Sequence, residues 1–396
     1  MKYIVLVPDG MADEPIESLG GKTPLEVAQT PNMDFIVQHG LLAQANTIPV
    51  GLPPASDVAN LSIIGYDPKK YYTGRAPLEA ACLGIDLSAQ DVAFRCNLIT
   101  VADDKMADYS AGHISTKEAA VLIRDLDMHV GTESKKFYSG VSYRHLLILR
   151  GREVKDLLNC VCVPPHDILN QSIRKHLPRG KGAQVLVELM EKSREFLSAH
   201  EINRIRVDLH ENPANMIWLW GQGQKPSMPL FKEKFGKSGA VISAVDLIKG
   251  IGKIIGLEVL NVEGATGYYD TNYLGKAQAG LQALKTHDFI FIHVEATDEA
   301  GHNGDLRMKI TTIERFDKMV VGPILEQFKE RDDFRLMVVP DHATPVNLRR
   351  HTTEKVCVAM MGKGIAKNGF NAFSEAQAKK SDVCYEGHQL MEVFLR

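Results

Sequence analysis

The sequence predicts an α/β fold, with a mostly parallel sheet flanked by helices and an inserted α+β segment. Three short apolar runs, at residues 3–7, 289–294 and 334–339, have the length and composition of buried parallel strands. Each run is followed by side chains that commonly bind metals or substrates, and ligands in open α/β sheets gather outside the carboxyl ends of strands. From about residue 90 to residue 212 the pattern changes to strand–strand–helix, which is typical of α+β structure.

The composition indicates a globular enzyme and excludes several other classes of protein. Of the 396 residues, 44% are hydrophobic and 24% are charged, and this length is sufficient for two domains. The net charge of −3 argues against a surface that binds nucleic acid. The six cysteines are scattered and form no Cys-x-x-Cys motif, so we interpret them as reduced thiols of an intracellular protein.

The location and partners of the chain follow from its apolar runs. No stretch approaches the 18 apolar residues of a membrane span, and the first run is too short for a signal peptide. We therefore predict a cytoplasmic protein that binds neither membrane nor nucleic acid. The oligomeric state stays open.

The domain organisation is predicted from the change of pattern along the chain. We expect a discontinuous core formed by residues 1–89 and 213–396, with residues 90–212 as an inserted domain. The insert carries arginines and histidines but none of the strand-end pairs of carboxylate and imidazole. An insert that supplies positive charge above a site can act as a substrate lid.

Carboxylate and imidazole side chains follow the three predicted strands. Asp9 follows the first strand, Asp298 and His302 follow the second, and Asp341 and His342 follow the third. One strand-end carboxylate alone is more often a helix cap than a ligand, but chance would rarely place such groups after three strands. Both residue types bind divalent metals, and a spacing of four residues puts Asp298 and His302 on one helix face. The sequence therefore predicts a dimetal site at this edge of the sheet.

Ser56 stands where a rigid turn of glycine and prolines passes into a helix. In one interpretation its hydroxyl caps the helix, a common arrangement worth about 1 kcal/mol. In the other it is a nucleophile, because the free N–H groups at a helix N-terminus favour an alkoxide or a phosphoryl group. A neighbouring divalent cation would lower the pKa of the hydroxyl, so metal ligands nearby favour the nucleophile.

These segments together resemble the cofactor-independent phosphoglycerate mutases of the archaeal type, within the alkaline phosphatase superfamily, over nearly the whole chain. The segments that carry the resemblance are Asp9 after the first strand, Ser56 within Pro-Ala-Ser-Asp-Val-Ala-Asn, Asp298-x-x-x-His302, Asp341-His342 and the isolated His351. The resemblance implies two divalent ions, manganese or zinc and in some cases magnesium or cobalt. It assigns one ion to Asp9, Ser56, Asp341 and His342, and the other to Asp298, His302 and His351.

The resemblance also implies a glycolytic isomerase that interconverts 3-phosphoglycerate and 2-phosphoglycerate. Ser56 would take the phosphoryl group from one hydroxyl and return it to the other, while two cations hold the oxygens of the in-line displacement. A closing insert would exclude water between the two steps. The candidate substrate-binding residues of the insert are His113, Arg144, Arg95 and His166.

Other activities stay open at this point. A homoserine kinase-like phosphotransferase would need a phosphoryl donor, although the chain has neither a Walker motif nor a kinase glycine loop. A metal-dependent phosphatase is favoured if the insert cannot seal the site. A catalytically inactive relative that acts as a binding protein is disfavoured, because all seven ligand positions are present.

Overall fold

The chain forms two compact units in a computed structural model that describes residues 1–396, apart from the side chains of residues 152 and 153. The first unit comprises Met1–Tyr72 and Ser227–Arg396, and the second comprises Thr73–Pro226. None of the helices in the part of the chain so described is both long and apolar enough to cross a membrane.

The strands build one sheet in each unit. In chain order they are β1 (Lys2–Pro8), β2 (Leu41–Asn46), β3 (Val92–Ala102), β4 (Lys105–Asp108), β5 (Lys135–Tyr138), β6 (Arg144–Leu149), β7 (Met216–Gly223), β8 (Gly239–Ile242), β9 (Glu258–Leu260), β10 (Phe289–Val294), β11 (Phe334–Val338), β12 (Val356–Gly362) and β13 (Cys384–Glu386).

The α-helices connect and cover these strands. They are α1 (Pro24–Val27), α2 (Pro31–Gln38), α3 (Ser56–Ile63), α4 (Pro68–Tyr71), α5 (Arg75–Cys82), α6 (Thr116–Val130), α7 (Gln184–Ser198), α8 (Glu201–Asp208), α9 (Phe231–Phe235), α10 (Asp246–Ile254), α11 (Tyr273–Ala283), α12 (Ala296–Asn303), α13 (Leu306–Phe316), α14 (Gly322–Phe328), α15 (Glu375–Ala378) and α16 (Leu390–Phe394). Short 3-10 helices lie at Glu17–Leu19, Arg152–Asn159, Pro165–Ile168, Ile173–Lys175 and Gly387–Gln389, and a π-helical stretch at Asp317–Val321 joins α13 to α14.

The sheet of the first unit has the order β13-β2-β12-β11-β1-β10-β8-β9. Only β12 is antiparallel to its neighbours among the strands so ordered, so the predicted mostly parallel sheet is confirmed. Strand β1 pairs with β10 on one side, where Tyr3 lies opposite Phe289, and with β11 on the other, where Lys2 lies opposite Phe334. The three strands predicted to carry ligands are therefore adjacent and parallel, and their carboxyl ends share one edge.

Both faces of this sheet are covered. Consecutive residues of β1, from Ile4 to Val7, are completely buried, as are Phe289 to Ile292 of β10. A strand buried on both faces needs a continuous apolar run rather than alternation, which is the pattern that these segments show. The rigid, doubly covered centre of the sheet thus supports the loops that leave its carboxyl edge.

The second unit has an antiparallel sheet with the order β4-β3-β6-β5, and β7 also pairs with β3. Helices α6 and α7 contribute Leu122 and Leu186 to a core that includes Trp218 of β7. This arrangement of an antiparallel sheet with its own helices is the α+β architecture expected for the insert.

The structure corrects the predicted limits of the insert. Residues 213–226 were assigned to the core because their apolar pattern suits a core strand, but β7 pairs with β3, where Leu219 lies opposite Cys96. Helix α5 packs on the same sheet, with Ala76 and Ala80 in one apolar cluster with Ala93. The boundaries therefore lie near residues 72 and 226, not at residues 89 and 212.

Candidate metal centre

The carboxyl edge of the first unit's sheet brings the predicted ligands together. Asp9 directly follows β1, and Asp341 and His342 come shortly after β11. Helix α12 begins just after β10 and carries Asp298 and His302 on the same face. Adjacent parallel strands deliver these groups to one place, and each of the seven predicted ligands contacts at least one other.

The inner cluster, as we call it, consists of Asp9, His293 and Asp341. Ligand atoms from these three residues all lie within 4.8 Å of one another. Nε2 of His293 is 3.1 Å from Oδ2 of Asp9. All three side chains are buried, with no more than 1% of any residue exposed.

The outer cluster consists of Asp298, His302 and His351. Nε2 of His302 lies 3.2 Å from Oδ2 of Asp298, and Nε2 of His351 lies 3.3 Å from Oδ1 of the same carboxylate. The two imidazole Nε2 atoms are 2.8 Å apart. The His302 side chain is 37% exposed, so this cluster reaches solvent whereas the inner cluster does not.

His342 lies between the two clusters. Its Nε2 is 3.4 Å from Oδ1 of Asp9 and 3.5 Å from Oδ2 of Asp341. Its ring also stacks on that of His351, with 3.9 Å between the ring centroids, and it can form a ligand group with His351 and Asp298. The distances alone allow His342 to serve either cation.

Ser56 is the first residue of α3, and the N-cap position belongs to Ala55, which makes no side-chain cap bond. The interpretation of the Ser56 hydroxyl as a helix cap is therefore wrong. Its Oγ lies 3.1 Å from Nε2 of His342. The side-chain amide of Asn60, one turn along α3, donates to the Ser56 carbonyl and to Oδ2 of Asp341, each at 2.8 Å. This amide fixes the start of the helix against the inner cluster.

The electrostatics of the site show a need for positive charge. Burial raises the pKa of Asp9, and the neighbouring charges of Asp341 and Asp298 raise it further. Burial also raises the pKa of Asp341. In the outer cluster, burial opposes ionisation of Asp298, but hydrogen bonds from His302 and His351 outweigh it and hold the pKa well below its usual value. Three carboxylates in one buried volume repel each other unless cations lie between them.

The donor atoms fit divalent cations. Oδ1 of Asp9 and Nε2 of His293 are buried without a hydrogen-bond partner among the residues that the structure describes. Burial lowers the pKa of His293 to about 4 and that of His342 well below its usual value, so both rings are neutral and can donate a lone pair. Carboxylate oxygens and neutral imidazoles are the ligands that zinc and manganese take in proteins. The residues present therefore suit a pair of divalent ions.

A layer of buried polar groups supports Asp341 of the inner cluster and Asp298 of the outer cluster. Oδ1 of Asp341 accepts hydrogen bonds from the backbone N–H of Gly10 at 2.9 Å and of His342 at 2.8 Å. Lys309, fully buried, donates to the carbonyls of Gly10 and Thr344, and the Thr344 hydroxyl donates to Asp298. Gly10 has φ +59°, and a Cβ there would come within 2.4 Å of Asp298 Oδ1, so glycine is required.

The predicted substrate-binding residues all lie in the second unit. Arg95 is buried, pairs with Glu79 at 3.1 Å and stacks over Trp220 at 4.2 Å from the ring centroid. His166 meets the same indole edge-on, with 5.4 Å between the centroids.

The other two candidates contact a neighbouring tyrosine. Arg144 lies over the Tyr143 ring at 5.5 Å, and His113 meets that ring edge-on at 6.0 Å. Each of the four residues therefore contacts either Trp220 or Tyr143. Their roles toward substrate stay predictions.

His293 is the candidate ligand that sequence reasoning missed. It lies inside β10, in a run that is otherwise apolar, and was interpreted as part of the strand's buried core. The sequence does contain a signal for this ligand. An imidazole in a fully buried strand costs free energy when its nitrogens have no partner, so His293 needs one. A buried polar residue near the end of a ligand-bearing strand could have been added to the ligand set on that ground.

The chain is similar to known proteins over its whole length. A family model described as 2,3-bisphosphoglycerate-independent phosphoglycerate mutase matches residues 38–203. The curated protein of that name from Methanosarcina barkeri is 50% identical over 388 residues, which cover 97% of this chain and 96% of the relative. A protein from Geobacter sulfurreducens, named as a probable enzyme of this kind, is 50% identical over 401 residues, which cover 100% of both chains.

Two solved structures share the fold. The PH0037 protein from Pyrococcus horikoshii has a TM-score of 0.86 and 31% identity, covering 100% of this chain and 96% of that one. The cofactor-independent phosphoglycerate mutase from Thermoplasma acidophilum has a TM-score of 0.69 and 26% identity, covering 100% of this chain and 99% of that one.

Proposed function

The chain belongs to the family of 2,3-bisphosphoglycerate-independent phosphoglycerate mutases, and from this premise we propose that it interconverts 3-phosphoglycerate and 2-phosphoglycerate through a phosphoserine at Ser56. We propose that Asp9, Ser56, Asp341 and His342 hold one divalent cation and that Asp298, His302 and His351 hold the other. Manganese and zinc suit these donors, and magnesium and cobalt are the alternatives.

The observation that carries this proposal is the position of the Ser56 hydroxyl. Ser56 occupies the first helical position of α3 rather than the N-cap, and its hydroxyl lies 3.1 Å from Nε2 of His342, beside a group of buried carboxylates and imidazoles. A serine used only for helix stability would bond to its own helix. This one faces a site that can activate its oxygen.

The reaction takes place in two displacements at phosphorus. Oγ of Ser56 attacks the phosphoryl group of 3-phosphoglycerate, and the bond from phosphorus to the 3-oxygen breaks as the Ser56 bond forms. The glycerate leaves with a hydroxyl at that position. Its 2-hydroxyl then attacks the phosphoserine, which gives 2-phosphoglycerate and restores Ser56. No nucleotide is consumed, because the phosphoryl group returns to the same glycerate.

The chain's own residues orient the nucleophile. Divalent cations, when bound, would lower the pKa of the hydroxyl and neutralise the phosphoryl oxygens. Asn60 holds the first turn of α3 against Asp341, so Ser56 Oγ keeps its direction. The positive end of the α3 dipole lies at Ser56 and favours a phosphoryl group on that residue.

A coupled assay tests the activity directly. The metal-stripped protein is given 3-phosphoglycerate with and without Mn²⁺ and the reaction is stopped with acid. The 2-phosphoglycerate formed is then measured as phosphoenolpyruvate with enolase and Mg²⁺. We expect product only with the metal and without added nucleotide. Release of inorganic phosphate in its place would indicate a phosphatase, and consumption of ATP only when homoserine is added would indicate a homoserine kinase-like enzyme.

Two serine variants in one helix separate the nucleophile from general effects on α3. Ser56→Ala removes the proposed nucleophile, and we expect no detectable mutase activity. Ser62→Ala is the matched control, because Ser62 is also buried in α3 but its hydroxyl has no hydrogen-bond partner among the described residues. Full activity of Ser56→Ala would reject Ser56 as the group that carries the phosphoryl.

A further inference from the structure

We propose that His293 is an additional ligand of the cation held by Asp9 and Asp341, so that both imidazoles His293 and His342 serve the inner ion. This inference rests on the proposed dimetal site and deepens it, since the family resemblance assigned no role to His293. Asp9, His293 and Asp341 offer ligand atoms that all lie within 4.8 Å of one another. They satisfy the geometric requirement for one shared ion.

The unpaired nitrogen of His293 gives the first argument. Nε2 lies 3.1 Å from Oδ2 of Asp9, yet it has no hydrogen-bond partner among the described residues. The ring is completely buried, so bulk solvent does not reach it. Buried polar atoms are nearly always paired, and an exception requires an explanation such as an ion.

The other nitrogen of the ring gives the second argument. Nδ1 of His293 lies 3.2 Å from Oγ of Ser243, and that hydroxyl accepts a hydrogen bond from the N–H of Val245 at 3.0 Å. Metal-bound histidines commonly donate their second N–H to such a group, which fixes the ring orientation and the tautomer. With the proton on Nδ1, the lone pair of Nε2 faces an oxygen of Asp9, and the contact with the ionised carboxylate is repulsive unless a cation lies between them.

The end of β10 is held in place beneath this ring. Lys276 is completely buried on α11 and donates to the backbone carbonyl of His293 at 3.2 Å. A ligand whose backbone and second nitrogen are both fixed is preorganised, because little freedom is lost when an ion binds.

The added ligand changes the expected coordination of the inner ion. With Asp9, Ser56, Asp341 and His342, His293 would bring the number of protein donors available to the inner ion to five. Structural zinc sites are almost always four-coordinate, whereas manganese accepts octahedral oxygen-rich surroundings. Five protein donors would therefore suit manganese better than a four-coordinate zinc ion at the inner site.

Metal titration of the full-length, chelator-stripped chain tests the inference. Free Mn²⁺ is measured by electron paramagnetic resonance during titration of the wild type and of His293→Ala. We expect two ions per wild-type chain, and in His293→Ala one site unchanged and the other weakened by more than roughly 100-fold. Ser243→Ala should weaken the same site by about 10–100-fold, the usual cost of losing the partner of a metal-bound histidine.

The control is His287→Ala, which removes a histidine just before β10 that contacts Glu258 and no proposed ligand. We expect two ions with wild-type affinity. The same result for His293→Ala would overturn the inference. If that variant does not fold, anomalous diffraction from Mn²⁺-loaded wild-type crystals decides: Nε2 of His293 should lie within about 2.0–2.3 Å of an ion.

The wild-type result separates this inference from the proposed function. Two bound ions and mutase activity, with His293 bonded to Asp9 rather than to an ion, would overturn the role of His293 alone. No bound ion and no mutase activity in the wild type would overturn both proposals.

Discussion

The inner and outer clusters use the same residue types but differ in burial and support. The inner carboxylates and imidazole are buried. The backbone N–H of Gly10 donates to Asp341, and the buried Lys309 donates to the carbonyl of Gly10. The outer imidazoles His302 and His351 lie on the helix α12 and on an irregular segment, and both are partly exposed. One cluster is part of the core, whereas the other lies at its surface.

This difference suggests different roles for the two proposed cations. An ion held by the inner cluster would lie next to Ser56, on residues fixed by the ends of β1, β10 and β11, so it could orient the nucleophile with little movement. An ion held by the outer cluster would be closer to solvent, because His302 is partly exposed, so incoming phosphoryl oxygens could reach it. We therefore expect that activity lost through a substitution in the inner cluster does not return at high metal concentration. Activity lost through a substitution at the outer cluster should return when the metal concentration is raised.

The largest expected effect comes from Asp341→Asn in the inner cluster. Asp341 accepts hydrogen bonds from Gly10, His342 and Asn60, and the substitution keeps its shape but removes its charge. We expect kcat to fall by about 10³-fold or more, since a catalytic cation contributes several kcal/mol. The coupled assay should show no recovery at high Mn²⁺, and recovery would contradict a buried inner ion.

The next effect concerns the support beneath the inner cluster. Lys309→Met leaves two carbonyls and the nearby Asp13 without their cation, and the Lys309 side chain is completely buried. We expect the free energy of unfolding to fall by about 3–5 kcal/mol, as for other broken buried ion pairs. Lys329→Met on the surface is the control for urea denaturation, with an expected change within about 0.5 kcal/mol. Equal stabilities of the two variants would show that Lys309 has no supporting role.

Glu375 lies in the same layer and gives a pH dependence. It accepts hydrogen bonds from the N–H of Asp13 and the hydroxyl of Thr23, and burial raises its pKa to about 7. The protonated Glu375 stabilises the fold, and this stabilisation is complete below the unfolded pKa of about 4.5. It is lost as the pH rises through about 7, and the free energy of unfolding then falls by roughly 3 kcal/mol at most.

Glu375→Gln imitates the protonated acid and tests that dependence. We expect the variant and the wild type to have similar stability at pH 5 and the variant to be more stable at pH 8. Urea denaturation at both pH values provides the measurement. A wild type that gains stability relative to the variant between pH 5 and pH 8 would contradict the raised pKa.

The smallest expected effect lies at the outer cluster. The Thr344 hydroxyl donates to Asp298 and lies 3.2 Å from Nδ1 of His342. Thr344→Val should weaken metal binding by about 10–100-fold, as for other groups that orient a metal ligand. Activity should return when Mn²⁺ is raised, in contrast to Asp341→Asn. An activity loss that saturating metal does not repair would end the distinction between the two clusters.

The ligands at the strand ends could be predicted because the geometry of a parallel sheet leaves little freedom. Adjacent strands such as β1 and β11 end at one edge, so acidic and imidazole residues that follow them must come close. The mostly parallel sheet was predictable for a related reason, because continuous apolar runs require cover on both faces.

The features that the sequence analysis missed depend on contacts between distant segments. The apolar pattern of β7 predicts a buried strand but does not indicate which sheet the strand joins. The predicted boundary after residue 212 is wrong for that reason. Whether the Ser56 hydroxyl can cap α3 depends on whether residue 55 or residue 56 is the last one before the helix. His293 was hidden because its neighbours in β10 are apolar and its partners, Asp9 and Ser243, are distant in the chain.

The central claim is that Ser56 carries the phosphoryl group during turnover. The direct measurement is rapid acid quenching of the Mn²⁺-loaded protein with 3-phosphoglycerate labelled in its phosphoryl group, followed by peptide mapping. We predict transient label on the peptide that contains Ser56, at the serine itself, and none in Ser56→Ala. Conversion of 3-phosphoglycerate to 2-phosphoglycerate with no label on Ser56 at any quench time would contradict the account.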